Sequence, residues 1–274
     1  MKEKVILVTG ASSGIGKETA IQLINEGHIV YTAARRVKNM EALDALGGFS
    51  LQMDITKDED IQNVVNTIIE KHQKIDVLVN NAGYAIYGAI EDTTIEDARR
   101  QFEVNIFGLG RLTQLVLPYM RKQQSGKIIN ISSMGGKMYT PLGSWYHATK
   151  HALEGWSDCL RLEVAQFGID VVIIQPGAIQ TEFGDVMTKP LMERSGNTAY
   201  SKLAKAIEKS TIDTYNKTGG GSPSSVISNL ISKAIKARKP KTRYVAGKYA
   251  KPMMFIRKYF GDRIFDKLIM SQVK

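Results

Sequence analysis

The run Val5-Ile6-Leu7-Val8-Thr9-Gly10-Ala11-Ser12-Ser13-Gly14-Ile15-Gly16-Lys17-Glu18 constrains this chain more than any other segment. A short apolar, β-branched stretch enters a turn of glycine and serine, and a helical pattern follows. That is the strand–turn–helix context in which a dinucleotide-binding turn occurs. The glycines are spaced G-x-x-x-G-x-G rather than G-x-G-x-x-G, yet the physical demands are the same. Gly10 permits a tight turn, Gly14 lets backbone come close to a pyrophosphate, and Gly16 allows the helix to pack closely on the strand. The helix N-terminus then offers N–H groups and a partial positive charge to phosphate. An ordinary glycine-rich loop is the competing reading, and the rest of the chain bears on it.

Strand-like runs alternate with helical patterns over most of the length. Strands are expected at 4–9, 29–34, 49–53, 76–79, 126–131, 169–175 and 242–247, with helices near 15–26, 39–46, 58–72, 95–122, 144–167 and 224–238. Val171-Val172-Ile173-Ile174 is a continuous apolar run, as strands buried on both faces require. This alternation predicts an α/β fold: one domain over 1–274, a doubly wound parallel sheet with helices on both faces. Pro118 is expected to bend or shorten the helix ending near Lys122. The alternation fails over 182–223, which is polar and broken by Gly219-Gly220-Gly221-Ser222-Pro223. This insertion follows the C-terminal end of the sixth strand, where α/β ligands bind, so it reads as a substrate lid. A mobile surface loop around a short helix is the alternative. Residues 248–274 form a C-terminal extension.

Tyr146 and Lys150 stand four residues apart in Ser144-Trp145-Tyr146-His147-Ala148-Thr149-Lys150, and on a helix they share a face. A neighbouring ammonium favours the phenolate and is expected to lower the phenol's pKa from about 10. Such a pair can exchange a proton with a carbonyl oxygen or an alcohol. Alone, the spacing is also that of a solvated helix face.

Together these segments resemble the short-chain dehydrogenase/reductase family. The likeness rests on Thr9 to Gly16, Asn80-Asn81-Ala82-Gly83, Asn105, Ser132-Ser133, Tyr146 with Lys150, and Pro176-Gly177, in the family's order and spacing up to about residue 181. Residues 182–274 match only in outline. The resemblance implies a single Rossmann-like NAD(P)-binding domain and NAD(P)-dependent oxidation or reduction at a carbonyl or alcohol carbon, with a hydride passing from the nicotinamide in the reductive direction. It assigns Asn105, Ser133, Tyr146 and Lys150 to catalysis. Ser133, thirteen residues before Tyr146, would orient the substrate oxygen, with Ser132 as its structural neighbour. Lys150 would bond the nicotinamide ribose and keep Tyr146 acidic, and Asn105 would support a water leading from Lys150 to solvent.

The same resemblance assigns the cofactor to Gly10, Ser12, Ser13, Gly14, Ile15, Gly16, Asp54, Ile55, Asn81, Ala82, Gly83, Tyr146, Lys150, Pro176, Gly177, Ile179 and Thr181. Asp54 matches the position that bonds the adenine amino group, and Thr181 the one that bonds the nicotinamide carboxamide. The second strand ends Tyr31-Thr32-Ala33-Ala34-Arg35-Arg36, without the acid that NAD-preferring dehydrogenases use on the ribose 2′-hydroxyl. A guanidinium can bond a 2′-phosphate instead. NADP(H) is therefore expected over NAD(H), with Arg35 the main contact and Arg36 a helper.

The substrate pocket is expected to draw on Ser133, Met134, Tyr139, Tyr146, Phe183 and Met187, with Tyr84 and Trp145 nearby. That set favours an apolar carbonyl compound. The length and the extension resemble the branch that includes 17β-hydroxysteroid and retinol dehydrogenases. A 3-oxoacyl thioester reductase, a non-catalytic NADP-sensing regulator and a sugar-nucleotide epimerase are the competing readings. The regulator is disfavoured because Ser133, Asn105, Tyr146 and Lys150 are all kept, and the epimerase by the glycine spacing.

Composition narrows the rest. The apolar and charged fractions, 43% and 23%, are those of an ordinary globular chain of 274 residues. The single cysteine, Cys159, excludes an intrachain disulfide and reads as a small core residue. The four histidines show no metal-ligand spacing, so no metal is expected. A cytoplasmic protein is the expectation, since no leader-like or membrane-spanning run is evident. Residues 1–200 hold 20 basic and 23 acidic side chains, whereas residues 201–274 hold 17 and 4. The basic quarter reads as a solvated face or as a patch for something anionic: a carrier protein, a CoA-type substrate or a membrane. No nucleic-acid-binding motif accompanies it. The tail from Lys251 to Met270 mixes apolar and basic residues and is expected to pack within the protein or a homo-oligomer rather than on a membrane.

Overall fold

In the computed structural model, which describes residues 3–215 and 220–273, the apolar runs become strands. They are β1 (Val5–Thr9), β2 (Ile29–Ala34), β3 (Phe49–Gln52), β4 (Val77–Asn80), β5 (Gly126–Ile131), β6 (Ile169–Pro176) and β7 (Arg243–Ala246). Among the described residues they form one parallel sheet in the order β3-β2-β1-β4-β5-β6-β7. The chain steps outward from β1 to β3, then returns to lay β4 on the other side of β1. That reversal leaves a crevice at the carboxyl ends of β1 and β4, the usual ligand position in such sheets.

The helices are α1 (Gly14–Asn25), α2 (Glu41–Asp44), α3 (Asp58–His72), α4 (Ile95–Phe102), α5 (Leu109–Gln123), α6 (Ser144–Val164), α7 (Phe183–Ser195), α8 (Ser201–Tyr215), α9 (Ser225–Lys236), α10 (Ala250–Tyr259) and α11 (Gly261–Ser271). Strand alternation splits the core in two. Ile6 and Val8 face α1 and α9, where Leu23, Ile227 and Ile231 meet them. Val5 and Leu7 face α3, α5 and α6, where Val64, Leu112 and Leu160 close the second layer. Each fully buried aliphatic side chain contributes about 1.5–3 kcal/mol, so these two layers carry most of the stabilisation. Helix α3 also suits its own dipole, with Asp58, Glu59 and Asp60 in the first turn and Lys71 and His72 in the last.

Five readings need correction. The long helix at 95–122 is interrupted by a π-helical segment, Glu103–Gly108, between α4 and α5. Pro118 lies inside α5 without ending it, so it removes a donor but the break falls upstream. The helix near 39–46 is a 3-10 turn, Val37–Met40, followed by the single turn of α2. The stretch 182–215 is not a loop around a short helix, the alternative reading of this region. It forms α7 and α8, whose Met187, Leu191, Ala204 and Ile207 pack on Ala85, Tyr87, Leu142 and Tyr146. Of the glycine-rich break, Gly219 lies outside the described residues, and Ser222 makes a bridge with Ile179. Cys159 is exposed, because the buried stripe of α6 runs through Tyr146, Thr149, Leu153, Ser157 and Leu160 and leaves Cys159 on the other side.

Candidate active site

A cleft of about 440 Å³ lies along the carboxyl ends of β1 to β6. Segments distant in sequence meet there because each directly follows a strand. They are Gly10 to Ile15, Ala33 to Arg36, Met53 to Ile55, Asn81 to Tyr84, Ile131 to Ser133 and Pro176 to Thr181. The volume is in the usual range for small-molecule sites.

The glycine turn is shaped for close approach. Gly10 and Gly14 have φ of 65° and 54°, in the left-handed region that side chains disfavour. A Cβ on Gly10 would stand 2.8 Å from the Cα of Ala82, and one on Gly16 2.5 Å from the carbonyl oxygen of Gly10. Gly16 therefore works behind the cleft, in packing, and does not line it. The Oγ1 of Thr9 accepts bonds from the N–H groups of Asn81 and Ala82, each at 3.0 Å, and Asn81 Nδ2 donates to Thr9 O at 2.9 Å. These bonds lock the end of β1 to the end of β4. Ser13 holds the N-cap of α1 but makes no side-chain capping bond, and the first turn carries no acid. Helix N–H groups and an uncompensated dipole thus face the cleft, an arrangement that fits a diphosphate.

Both arginines after β2 line the cleft. Arg36 Nη2 donates to Ser13 Oγ at 3.1 Å and Ser12 Oγ at 3.4 Å, and reaches Glu182 Oε2 at 3.5 Å. It therefore spans the glycine turn and the start of α7. Arg35 is exposed. Burial pushes the Asp54 carboxyl up, but bonds from the Thr56 N–H and hydroxyl and the nearby Arg35 charge outweigh it, so Asp54 is held below its ordinary value. Two residues that line the cleft, Ser132 and Tyr84, each carry a buried hydroxyl without a hydrogen-bond partner. Buried polar groups are normally paired, so the cleft fits a ligand with polar atoms of its own.

Tyr146 is 7% exposed and ringed by aromatics, with Phe183 at 5.7 Å and Tyr87 at 6.1 Å between centroids. Burial drives its phenol well above the ordinary value, and a hydrogen bond with Ser133 offsets only part of this. Lys150 Nζ donates to Ile131 O at 2.8 Å and lies 6.0 Å from the Tyr146 ring centroid. Burial pulls the Lys150 ammonium down to about 8, against the attraction of Glu154. The expected lowering of the phenol by this lysine is thus not seen; desolvation dominates, and Tyr146 stays protonated at neutral pH. Below Lys150, Glu154 is 2% exposed and bonded by Gln175 and Arg243, with Lys137 Nζ at 3.2 Å.

Asn105 sits in the π-helical segment, a feature that often marks functional sites. Its Nδ2 donates to Tyr84 O and Thr149 Oγ1, each at 3.0 Å, and its Oδ1 accepts from Tyr84 N at 3.1 Å. The side chain ties the loop after β4 to α6 and does not line the cleft. His147 is structural. Thr140 N donates to its Nε2 at 3.0 Å, so Nδ1 carries the proton and donates to Gly135 O at 2.9 Å. Burial holds its pKa near 4.

On the substrate side, Ser133, Tyr146 and Phe183 line the cleft, whereas Met134, Tyr139 and Met187 do not. Met134 and Tyr139 pack against Met138, Met253 and Phe265 of the C-terminal helices, and Met187 is buried with Leu191. Trp145 instead sets its ring edge-on to Phe102. Sequence reasoning missed Tyr215, which lines the cleft and lies 6.2 Å from the Phe183 ring, and Tyr87, which abuts Tyr146. Tyr87 follows shortly after Asn81-Ala82-Gly83 and was within reach of pattern reading; Tyr215 ends α8 and had no local signal.

Comparison with known proteins agrees with this geometry. The short chain dehydrogenase family profile matches residues 4–191. The chain is 42% identical over 214 residues to 3-ketodihydrosphingosine reductase of Bacteroides thetaiotaomicron, covering 76% of this chain and 77% of that one. It is similar to the crystal structure of a short-chain dehydrogenase from Streptomyces avermitilis, with 34% identity, a TM-score of 0.83 and 97% and 96% of the two chains covered. It also resembles a variant of actinorhodin polyketide ketoreductase solved with NADPH, with 28% identity, a TM-score of 0.74 and 89% and 95% coverage. With its parallel sheet, its glycine turn and its tyrosine–lysine helix, this chain belongs to the short-chain dehydrogenase/reductase family of oxidoreductases.

Proposed function

We propose that the protein is an NADP(H)-dependent reductase of ketones carried on apolar molecules. The observation that carries this reading is placement: the Tyr146 phenol, enclosed by aromatic rings, shares one cleft with Ser133, Lys150 and the glycine turn. A phenol so placed can give its proton to a carbonyl oxygen as the hydride arrives, which is what carbonyl reduction needs. When bound, the nicotinamide supplies the hydride. Ser133 holds the carbonyl oxygen against Tyr146, which protonates it as the alcohol forms. Lys150 bonds the cofactor ribose and carries a positive charge toward the phenol, and Asn105 keeps α6 in place against the loop after β4.

The cofactor contacts follow the cleft. Gly10, Ser12, Ser13, Gly14 and Ile15 hold the diphosphate, Asp54 and Ile55 the adenine, and Asn81, Ala82 and Gly83 the ribose. Pro176, Gly177, Ile179 and Thr181 hold the carboxamide. The preference for NADP(H) rests on Arg35 and Arg36 and on the missing acid at Ala34. Arg35 is the principal contact, since Arg36 already spends donors on Ser12 and Ser13. Phe183, Tyr87 and Tyr215 define an apolar substrate end, and α7 and α8 act as its lid. The likeness to a 3-ketodihydrosphingosine reductase supports a keto group on a long chain. A second reading, reduction of a 3-oxoacyl thioester, is favoured by the basic C-terminal quarter, which suits an acidic carrier. The working form is taken as a homo-oligomer.

The test is NADPH oxidation by the purified protein with steroids, quinones, aldehydes, long-chain ketones and acetoacetyl thioesters. Turnover is expected with an apolar ketone. Turnover confined to the thioester favours the second reading, and none with any carbonyl contradicts both.

A further inference from the structure

The C-terminal extension is only half explained by packing. Met253, Phe265 and Ile269 are buried against Met138, beside the 3-10 turn Met134–Gly136 that follows Ser133. Four further apolar residues face water. Phe255, Tyr259, Phe260 and Ile264 are 56%, 62%, 51% and 52% exposed. Phe255 touches both Tyr259 and Phe260, at 4.8 and 6.2 Å between ring centroids, so these form one patch.

The charges are placed with the same regularity. On α10, Lys251, Phe255, Lys258 and Tyr259 are exposed at helical spacing and share one face. The helix contains no acid. On α11, Arg263, Ile264, Lys267 and Met270 are exposed. The two acids of the extension are engaged, Asp262 by Arg257 at 2.7 Å and Asp266 by the Tyr139 hydroxyl at 2.9 Å. Lys258 Nζ lies 5.0 Å from the Tyr259 ring centroid. Residues 248–274 hold seven basic side chains and two acidic ones.

We propose that α10 and α11 form a docking face for an anionic lipid surface, with Phe255, Tyr259, Phe260 and Ile264 entering the headgroup boundary and the surrounding cations meeting lipid phosphates. Aromatic and aliphatic groups interleaved with lysines on one helix face are what interfacial binding requires, since ring and charge are satisfied at different depths. A second copy of the chain suits the patch less well, since a two-fold contact would bring two net-positive faces together. The start of α10 also adjoins the cleft. A Cβ on Gly177, which lines the cleft, would stand 3.0 Å from Ala250 at the start of α10. An enzyme docked this way meets apolar substrates where they dissolve, although the docking itself does not rest on the proposed reaction.

The test is co-sedimentation of the full chain with vesicles of phosphatidylcholine alone and of phosphatidylcholine mixed with phosphatidylglycerol. The wild type is expected to bind the anionic vesicles, to be released by high salt, and to leave the neutral ones unbound. Lys251→Glu with Lys258→Glu is expected to weaken binding at least about tenfold, since each cation near such a surface is worth on the order of 1 kcal/mol. Phe255→Ser with Tyr259→Ser is expected to weaken it several-fold. Both variants should reduce a water-soluble ketone at the wild-type rate, which confirms that they fold. Absence of vesicle binding, equal binding to neutral vesicles, or unchanged binding in both variants would overturn the proposal. So would an oligomer, seen by analytical ultracentrifugation, that dissociates in the Phe255/Tyr259 variant, because the patch would then be a subunit interface.

Discussion

Replacing Tyr146 by Phe removes one hydroxyl from a pocket of rings and leaves their packing intact. Turnover is expected to fall by about two to four orders of magnitude, the worth of a positioned proton donor, while fluorescence titration shows NADPH bound as before. The basic partner gives a pH prediction. Lys150 is held near 8 by burial, and Glu154 opposes that pull. Its ammonium is therefore present below about pH 8 and is lost as pH rises through that value, so turnover should decline on the alkaline side. Glu154→Gln removes the opposing charge and leaves Lys137 and Arg243 without their shared counter-ion. Both changes lower the Lys150 value further, and the alkaline limb of the kcat profile should move to lower pH. A limb that stays in place would remove Glu154 from the account. At the cofactor end, Arg35→Ser is expected to reduce the NADPH-to-NADH ratio of kcat/KM by about ten- to a hundred-fold, the value of a charge-assisted contact. Arg35 was legible because it directly follows a strand, and Tyr146 and Lys150 because they stand four apart on one helix. Glu154 was not, because its importance comes from burial among Lys137, Gln175 and Arg243, which three separate elements supply.

At the scale of elements, the sequence was most readable where one period governs a segment. Strands β1 to β7 fall where the apolar runs lie, and α3 and α9 where the amphipathic spacing does. The reading failed where tertiary contact sets the backbone. The π-helical segment exists where Asn105 must reach Tyr84 and Thr149 while Gly108 lies against Ile55, and no pattern within the segment announces that. Helices α7 and α8 were hidden by their polar outer faces, although Met187, Leu191, Ala204 and Ile207 mark an inner one. The glycine turn gives the sharpest element-level prediction. Gly16→Val would press a side chain onto Gly10 and Asn81, and overpacking of this kind costs about 1–3 kcal/mol. A lower melting temperature together with weakened NADPH binding is expected. An unchanged melting temperature would mean that α1 can lift from β1 without penalty.

For the whole molecule, the order of strands does the assembling. Because every strand runs parallel to its neighbours, six strand ends deliver their loops to one edge, and a glycine turn, two arginines and a tyrosine–lysine pair come to face a common cleft. The sequence carried that edge plainly through residue 181, where its motifs stop. Beyond that point only the charge asymmetry was readable, and the division of the last helices into a buried face and an exposed one needed the folded structure. The most direct test of the account is a crystal structure of the protein with NADP+ bound. The account predicts the 2′-phosphate held by Arg35 at the end of β2 and the nicotinamide ring beside the Tyr146 hydroxyl and Lys150. A dinucleotide with its 2′-phosphate in open solvent, or with its pyridine ring turned away from Tyr146, would contradict it.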